Sequence, residues 1–403
     1  WIIMACAWNV NILCIGRFIS GLTMAITFTT VPIYIAEISE PTMRAELNNL
    51  GLVTRCFSTL FEFTAGSLTG YFTLIILSCV VPILYFIMVF WLPESPYFLV
   101  ANGKSEEAKE VLIWLRGEMS PEDLAKEITD IKNYTEQSTT QKRSYKDIFK
   151  KEHRRIVLIV FSILSLSQLV GATITLFYMQ PIFRAGGSSI SANLASIIFG
   201  TFMTVLSCFV PVVAKCYGYK KPMIISSACL GISLFFLGGG FFLKSKGFQL
   251  TILNYIPVTS LLVYTVALNL GMQNFPWTVV SEILPSSIKA KTSAIGASLA
   301  FFWAFLSTIS FPDFVEALGA DVTFWIYSCF SFAAMAFIHI YIPETKNLTL
   351  NEIQNVIKNI KEENNDTEKV QQDFISQFTI SFLKRKYENS DCIDGVYRGS
   401  EKL

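Results

Sequence analysis

The acidic and basic residues of this chain stand at repeated places. Glu37 is followed seven residues later by Arg44, and Glu282 seven residues later by Lys289. Glu94 and Glu344 each follow a proline, in Pro93-Glu94-Ser95 and Pro343-Glu344-Thr345. Acids and bases at the ends of apolar blocks can form ion pairs at a membrane boundary, each worth about 0–1 kcal/mol. Contacts that weak suit a gate that closes and reopens. Glu37, Arg44, Glu94, Glu282, Lys289 and Glu344 are therefore read as such a gate, against the plainer alternative of solvated helix ends.

Three further charges lie inside apolar blocks, where an ionised side chain is costly and needs a partner. Arg17 precedes Glu37 by 20 residues, and Glu62 follows Arg44 by 18. At about 1.5 Å per helical residue, both lie about 27–30 Å from the same boundary. They are expected to pair across antiparallel helices. Arg55, about half as deep, has no obvious partner in sequence and is a candidate to face a cavity.

Other chemistries find little support. The chain has two histidines, His153 and His339, and nine cysteines with no CxxC pair or metal-ligand spacing. No metal, haem or other cofactor is expected, and no nucleophile–base pair points to an enzyme. A net charge of +1 and the lack of a basic stripe with interleaved aromatics argue against a nucleic-acid partner.

The elements that must position these residues are long apolar helices. Apolar residues make up 52% of the chain and charged residues 16%, against about 25% charged in soluble domains. A bilayer core takes about 20 mostly apolar residues per helix. Spans are expected near 10–36, 48–70, 72–92, 155–182, 190–214, 222–243, 251–281, 290–312 and 322–342, with a partial one at 1–7. Lysine and arginine collect in alternate loops, at Arg44, Lys215, Lys220, Lys221, Lys289 and Lys291. By the positive-inside rule those loops, the polar segment 93–154 and the tail after residue 343 are cytoplasmic. Within 93–154, a helix capped by Ser105 runs to Gly117 and another opens at Pro121. Residues 133–154 read as a polar linker. In the tail, Phe374, Phe378 and Phe382 recur ahead of Lys384-Arg385-Lys386, a stripe suited to anionic membrane lipid.

The chain also repeats itself. Glu282 lies 245 residues after Glu37, and Glu344 lies 250 after Glu94. Both offsets fit one duplication of about six helices, a transporter plan in which substrate sits between the halves. Three spans precede the one carrying Glu282, but only the fragment 1–7 precedes the one carrying Glu37. The repeat thus leads to the expectation that about 90 residues, or roughly two and a half helices, are missing ahead of Trp1.

These residues fall into a familiar set: Gly16-Arg17-Phe18, Pro32-x-Tyr34-x-Ala36-Glu37-Ile38-Ser39, Pro93-Glu94-Ser95-Pro96, Gln168-Leu169-x-Gly171, Phe177-Tyr178, Pro276-Trp277 with Glu282, and Pro343-Glu344-Thr345-Lys346. In order and spacing the chain resembles the sugar-porter branch of the major facilitator superfamily, most closely the insect facilitated trehalose transporters. The resemblance implies an all-α polytopic membrane protein of the major facilitator fold. It would have two six-helix repeats, the first lacking roughly 2.5 helices, and about nine complete transmembrane helices. The expected organisation is an incomplete N-terminal transmembrane half (1–92), a cytoplasmic helical loop (93–154), a C-terminal transmembrane half (155–342) and a cytoplasmic tail (343–403).

The resemblance also implies facilitative movement of a carbohydrate, of the trehalose or hexose class, by alternating access at the plasma membrane. No covalent step and no obligate protein partner are implied. A membrane sensor or scaffold that no longer transports is the rival reading. Gln168, Trp277 and Trp303 keep family sugar-site residues, and Asn269, Gln273 and Thr173 stand at positions that would complete a looser site. Several family polar positions are apolar or changed here: Leu52, Ser167, Met203 and Leu306. Gln273-Asn274 replaces a Gly-Pro pair. A buried sugar hydroxyl without a partner costs about 1–3 kcal/mol, so these changes argue against tight hexose binding of the usual kind.

Overall fold

The computed structural model describes residues 1–40, 43–117, 120–140, 148, 150, 153–185, 191–248, 255–285 and 288–344. The aromatic and basic stripe expected at 374–386 lies outside the described residues.

The described residues build helices and no strand. The first half contains α1 (Ile2–Ala5), α2 (Val10–Ile38), α3 (Arg44–Leu68) and α4 (Tyr71–Val89). A loop cluster follows, with α5 (Pro96–Ala101), α6 (Ser105–Arg116) and α7 (Pro121–Thr140). The second half is α8 (Arg154–Leu169), α9 (Ala172–Ala185), α10 (Ala192–Ser207), α11 (Val210–Tyr217), α12 (Lys220–Ser245), α13 (Ile256–Leu270), α14 (Phe275–Ile283), α15 (Lys289–Leu318) and α16 (Ala320–Tyr341).

Each expected span falls on helix. Among the described residues, seven helical segments are long and apolar enough to cross a membrane, counting α8–α9 and α13–α14 as one each. The α10–α11 pair, bent by 45°, makes an eighth if it is one span. The expected span at 48–70 is helical as α3, but Glu46, Arg55 and Glu62 interrupt its apolar run, and it is not among the seven.

Two spans are broken near their middles. Between α8 and α9, Gly171 takes a φ of 93°, open to glycine at little cost. The freed Val170 carbonyl accepts from the Tyr264 hydroxyl at 3.1 Å. Between α13 and α14, the Met272 N–H donates to the Ser226 hydroxyl at 3.1 Å, and that hydroxyl donates to the Ala267 carbonyl at 2.7 Å. Side chains thus take over hydrogen bonds that each broken helix gives up, as a low-dielectric interior requires.

The second half carries a continuous core from α8 to α16, including Ile163, Leu164, Met223, Leu230, Leu261 and Ala334. Where α12 crosses α16, the Ser328 hydroxyl donates to the Gly231 carbonyl at 2.7 Å, an approach that small residues permit. The two halves meet where α3 lies along α10. A Cβ on Gly200 would stand 3.0 Å from the Leu60 Cα, and Phe63 packs edge-on against Phe199 at 6.3 Å.

The loop cluster has its own small core of Leu99, Val100, Ala108, Leu112 and Ile131. Three details differ from expectation. Ser105 is the first helical residue of α6, preceded by Lys104 at the cap position. A short α5, opened by Ser95 and Pro96, precedes it. Helix α7 runs on to Thr140 through the expected linker, anchored by buried Ile131.

Candidate functional site

The two breaks place the predicted binding residues. Gln168 ends α8 at the first break, and Thr173 begins the turn beyond it. The Thr173 hydroxyl donates to the Gln168 side-chain carbonyl at 3.2 Å, while the Gln168 amide donates to Ser167 at 3.3 Å. Asn269 closes α13 at the second break and is fully buried. Its amide donates to the Thr265 carbonyl at 3.0 Å. The side-chain oxygens of Asn269 and Gln273 are buried without a hydrogen-bond partner among the described residues. Unsatisfied acceptors of this kind are costly to bury and fit a ligand that brings hydroxyl donors.

Trp277 sits in the first turn of α14, half-buried. Its ring meets Phe28 of α2 edge-on at 5.6 Å and Phe301 of α15 at 6.4 Å. Phe28 also lies 6.2 Å from Phe301. One aromatic cluster therefore spans both halves, with Trp277 at its centre. Trp303 stands apart on α15, half-buried, its ring 5.9 Å from its neighbour Phe302.

Between the halves, the Arg55 guanidinium on α3 donates to the Asn274 side-chain oxygen at 3.3 Å. The Asn274 amide in turn donates to the Asn269 carbonyl at 3.2 Å. Arg55 thus reaches the broken segment that carries Asn269 and Gln273. Neither this contact nor Phe28 was legible in the sequence, because each partner lies far away along the chain.

Of the residues expected to form a gate, Glu37 and Glu344 are hydrogen-bonded at the loop end of the helices, while Glu94 is exposed. The Ser95 hydroxyl donates to Glu37 at 2.5 Å. The Tyr34 hydroxyl donates to the Pro93 carbonyl at 2.7 Å, and Arg116 donates to the Ile38 carbonyl at 2.7 Å. In the second half, the Tyr219 backbone N–H donates to Glu344 at 3.2 Å, and the Glu282 carboxylate faces the Tyr219 phenol. One tyrosine thereby lies against both Glu282 and Glu344. Burial, followed by the charges of Glu282 and Glu344, pushes the Tyr219 phenol above its ordinary 10.0. The Arg44 side chain lies outside the described set, and Lys289 is exposed at the start of α15. Ser95 directly follows the Pro-Glu motif, a signal that was available; Tyr219 had none beyond its place in the basic loop.

Arg17 and Glu62 line one cavity of ≈ 440 Å³ with Trp1, Met4, Tyr71, Leu74, Ile75 and Ser78. They share that space without an ion pair, while Glu62 accepts from the Ser78 hydroxyl at 2.8 Å. Among the described residues, no group of three or more His, Cys, Asp or Glu side chains is placed to hold a metal ion.

Comparison with known proteins gives one consistent likeness. The family model described as "Sugar (and other) transporter" matches residues 1–357. A facilitated trehalose transporter of Drosophila mojavensis is 29% identical over 355 residues, covering 88% of this chain and 41% of that protein. The trehalose transporter 1 of Drosophila melanogaster is 30% identical over 356 residues, with the same two coverages of 88% and 41%. The chain therefore spans about two fifths of the length of these relatives. Among solved structures, the proton:xylose symporter XylE bound to 6-bromo-6-deoxy-D-glucose matches at a TM-score of 0.65 and 22% identity, covering 86% of this chain and 74% of that one. A partially occluded inward-open form of the E. coli xylose transporter matches at 0.68 and 20% identity, covering 83% and 72%. Both likenesses concern the fold; the first of these structures is described as a protein of the major facilitator superfamily.

Proposed function

Because the chain belongs to the family of sugar (and other) transporters, we propose that it moves a carbohydrate of the trehalose or hexose class across a membrane by alternating access. It is an integral membrane protein whose apolar helices are long enough to span a bilayer. The observation that carries the reading is the pair of broken helices, tied together by the Tyr264 hydroxyl of α13 on the Val170 carbonyl at the first break. Gln168 and Thr173 border one break, the unsatisfied oxygens of Asn269 and Gln273 border the other, and Trp277 offers an aromatic face close by.

A sugar needs both kinds of surface. Its hydroxyls donate to amide oxygens, and its apolar ring face packs on an indole. The paucity of further amides, with Leu52 and Met203 packed in the core, suits weak binding and fast release. Transport then needs no covalent step. The polar contacts at Glu37, Glu282 and Glu344 serve as the gate: they are few at each place, weak enough to break in every cycle.

In this reading the two halves, 1–92 and 155–342, rock about the site as parallel repeats. Loop 93–154 and the tail from 343 lie on the cytoplasmic side of the plasma membrane. Arg17 and Glu62 steady the far end of the first half through their shared cavity.

The test is a titration of the purified chain in detergent with trehalose and with glucose, read by tryptophan fluorescence. Saturable quenching that is lost in Trp277→Phe is expected. A signal that stays flat for both sugars, with no heat of binding by calorimetry, would remove the reading.

A further inference from the structure

Transport of a neutral sugar leaves Arg55 without a role. A guanidinium is a permanent cation, and this one lies 11 residues into α3 from Arg44. With α3 read as the span expected over 48–70, about 1.5 Å per residue sets Arg55 about 16 Å into a core about 30 Å thick, near its midplane. A charge at that depth is expensive unless an opposite charge or a polar cavity meets it. No carboxylate lies within 4.0 Å of Arg55 among the described residues. Its described partner is the neutral amide of Asn274, at 3.3 Å across the two halves. Asn274 is tied by its own amide to the carbonyl of Asn269. The cation therefore stands beside the broken segment in which the side-chain oxygens of Asn269 and Gln273 are buried without donors.

A neutral sugar would use those two acceptors and leave the guanidinium without a counter-charge. A polyol that also carries an anionic group would use all three. We propose that the cargo is an anionic carbohydrate, a sugar bearing a carboxylate or a phosphate. Its charged group sits against Arg55 while its hydroxyls donate to Asn269 and Gln273. Arginine suits this role because its planar fork of donors matches either oxyanion. The proposal rests on the reading of the chain as a carbohydrate transporter and narrows it to a substrate class. A purely structural Arg55, latching α3 to the α13–α14 break, is the alternative that the test must separate.

The experiment measures uptake of labelled glucose, glucuronate and glucose 6-phosphate into proteoliposomes containing the full chain. At least one anion should be preferred over glucose by about tenfold, the scale of one charge-assisted hydrogen bond. Glucuronate alone would identify a carboxylate cargo, and glucose 6-phosphate alone a phosphate. Arg55→Gln should lower the anion-to-glucose ratio about tenfold, and Arg55→Lys, which keeps the charge but not the fork, should lower it less. Since a variant can fail to fold, competition on the unaltered chain is a second readout: excess glucuronate or glucose 6-phosphate should suppress glucose uptake. Glucose uptake that neither anion competes with would overturn the anionic cargo while leaving carbohydrate transport standing. Equal loss of anion and glucose uptake in Arg55→Gln would make the residue a latch and also overturn it. Absence of uptake for all three and for labelled trehalose would overturn both readings.

Discussion

The Glu344 carboxylate accepts the Tyr219 backbone N–H at 3.2 Å, directly over Gly218. Gly218 ends α11 with a φ of 73°, and a Cβ there would stand 2.4 Å from the Glu344 Oε1. Both the backbone and the space therefore require glycine. Gly218→Ala is expected to cost about 2 kcal/mol or more, combining roughly 1–3 kcal/mol for a positive-φ extended backbone open essentially to glycine with displacement of the carboxylate. Thermal unfolding in detergent should show a melting temperature several degrees lower. An unchanged midpoint would remove Glu344 from this turn.

The same tyrosine gives a pH dependence. Its phenol titrates above 10.0, first because it is buried and then because Glu282 and Glu344 face it. A raised folded-state value means that the fold favours the neutral phenol. Its contribution is full below pH of about 10 and is lost as pH rises through the folded value. Between pH of about 9 and 11, the unaltered chain should lose stability more steeply than Tyr219→Phe. Parallel curves would show that this phenol is not held neutral by the fold.

Ser95 should matter more than its size suggests. It is buried at 5% exposure, donates to Glu37 and also accepts the Phe98 N–H at the start of α5. Removing a hydrogen bond to a charged group costs about 1.5–3 kcal/mol. Ser95→Ala should therefore be destabilised by about 2 kcal/mol, with Ser95→Thr close to the unaltered chain. If alanine melts with serine, Glu37 is held by something else.

The cavity shared by Arg17 and Glu62 makes a coupled prediction. Glu62→Gln can still accept from Ser78 but leaves Arg17 with no opposite charge in that space. Folded yield should fall, by about 1 kcal/mol or less in stability, and the Arg17→Gln, Glu62→Gln double variant should recover it. Additive losses in the double variant would mean that the two charges do not interact.

Much of this architecture was legible because bilayer thickness dictates it. Apolar blocks of span length place the long helices to within a few residues, and counting at a fixed rise brought Arg17 and Glu62 to one cavity. What was hidden depends on contacts between distant segments. Arg55 and Asn274 are 219 residues apart, and no local pattern marks either as the other's partner. The breaks at Gly171 and at 271–274 were hidden as well, since glycine is common within membrane helices and the apolar runs continue through them. Helix α7 outlasted its expected end because its anchor is Ile131, while the residues after it show no apolar stripe from which to extend the helix.

Counterflow tests the central claim most directly. Vesicles containing the full chain are loaded with unlabelled carbohydrate, neutral or anionic, and diluted into a trace of the same compound labelled. A carrier with its site between two rocking halves should accumulate label transiently above its equilibrium level, and Trp277→Ala should reduce that overshoot about tenfold. A trace that never exceeds protein-free vesicles, for trehalose, glucose, glucuronate and glucose 6-phosphate alike, would contradict carbohydrate transport by this chain.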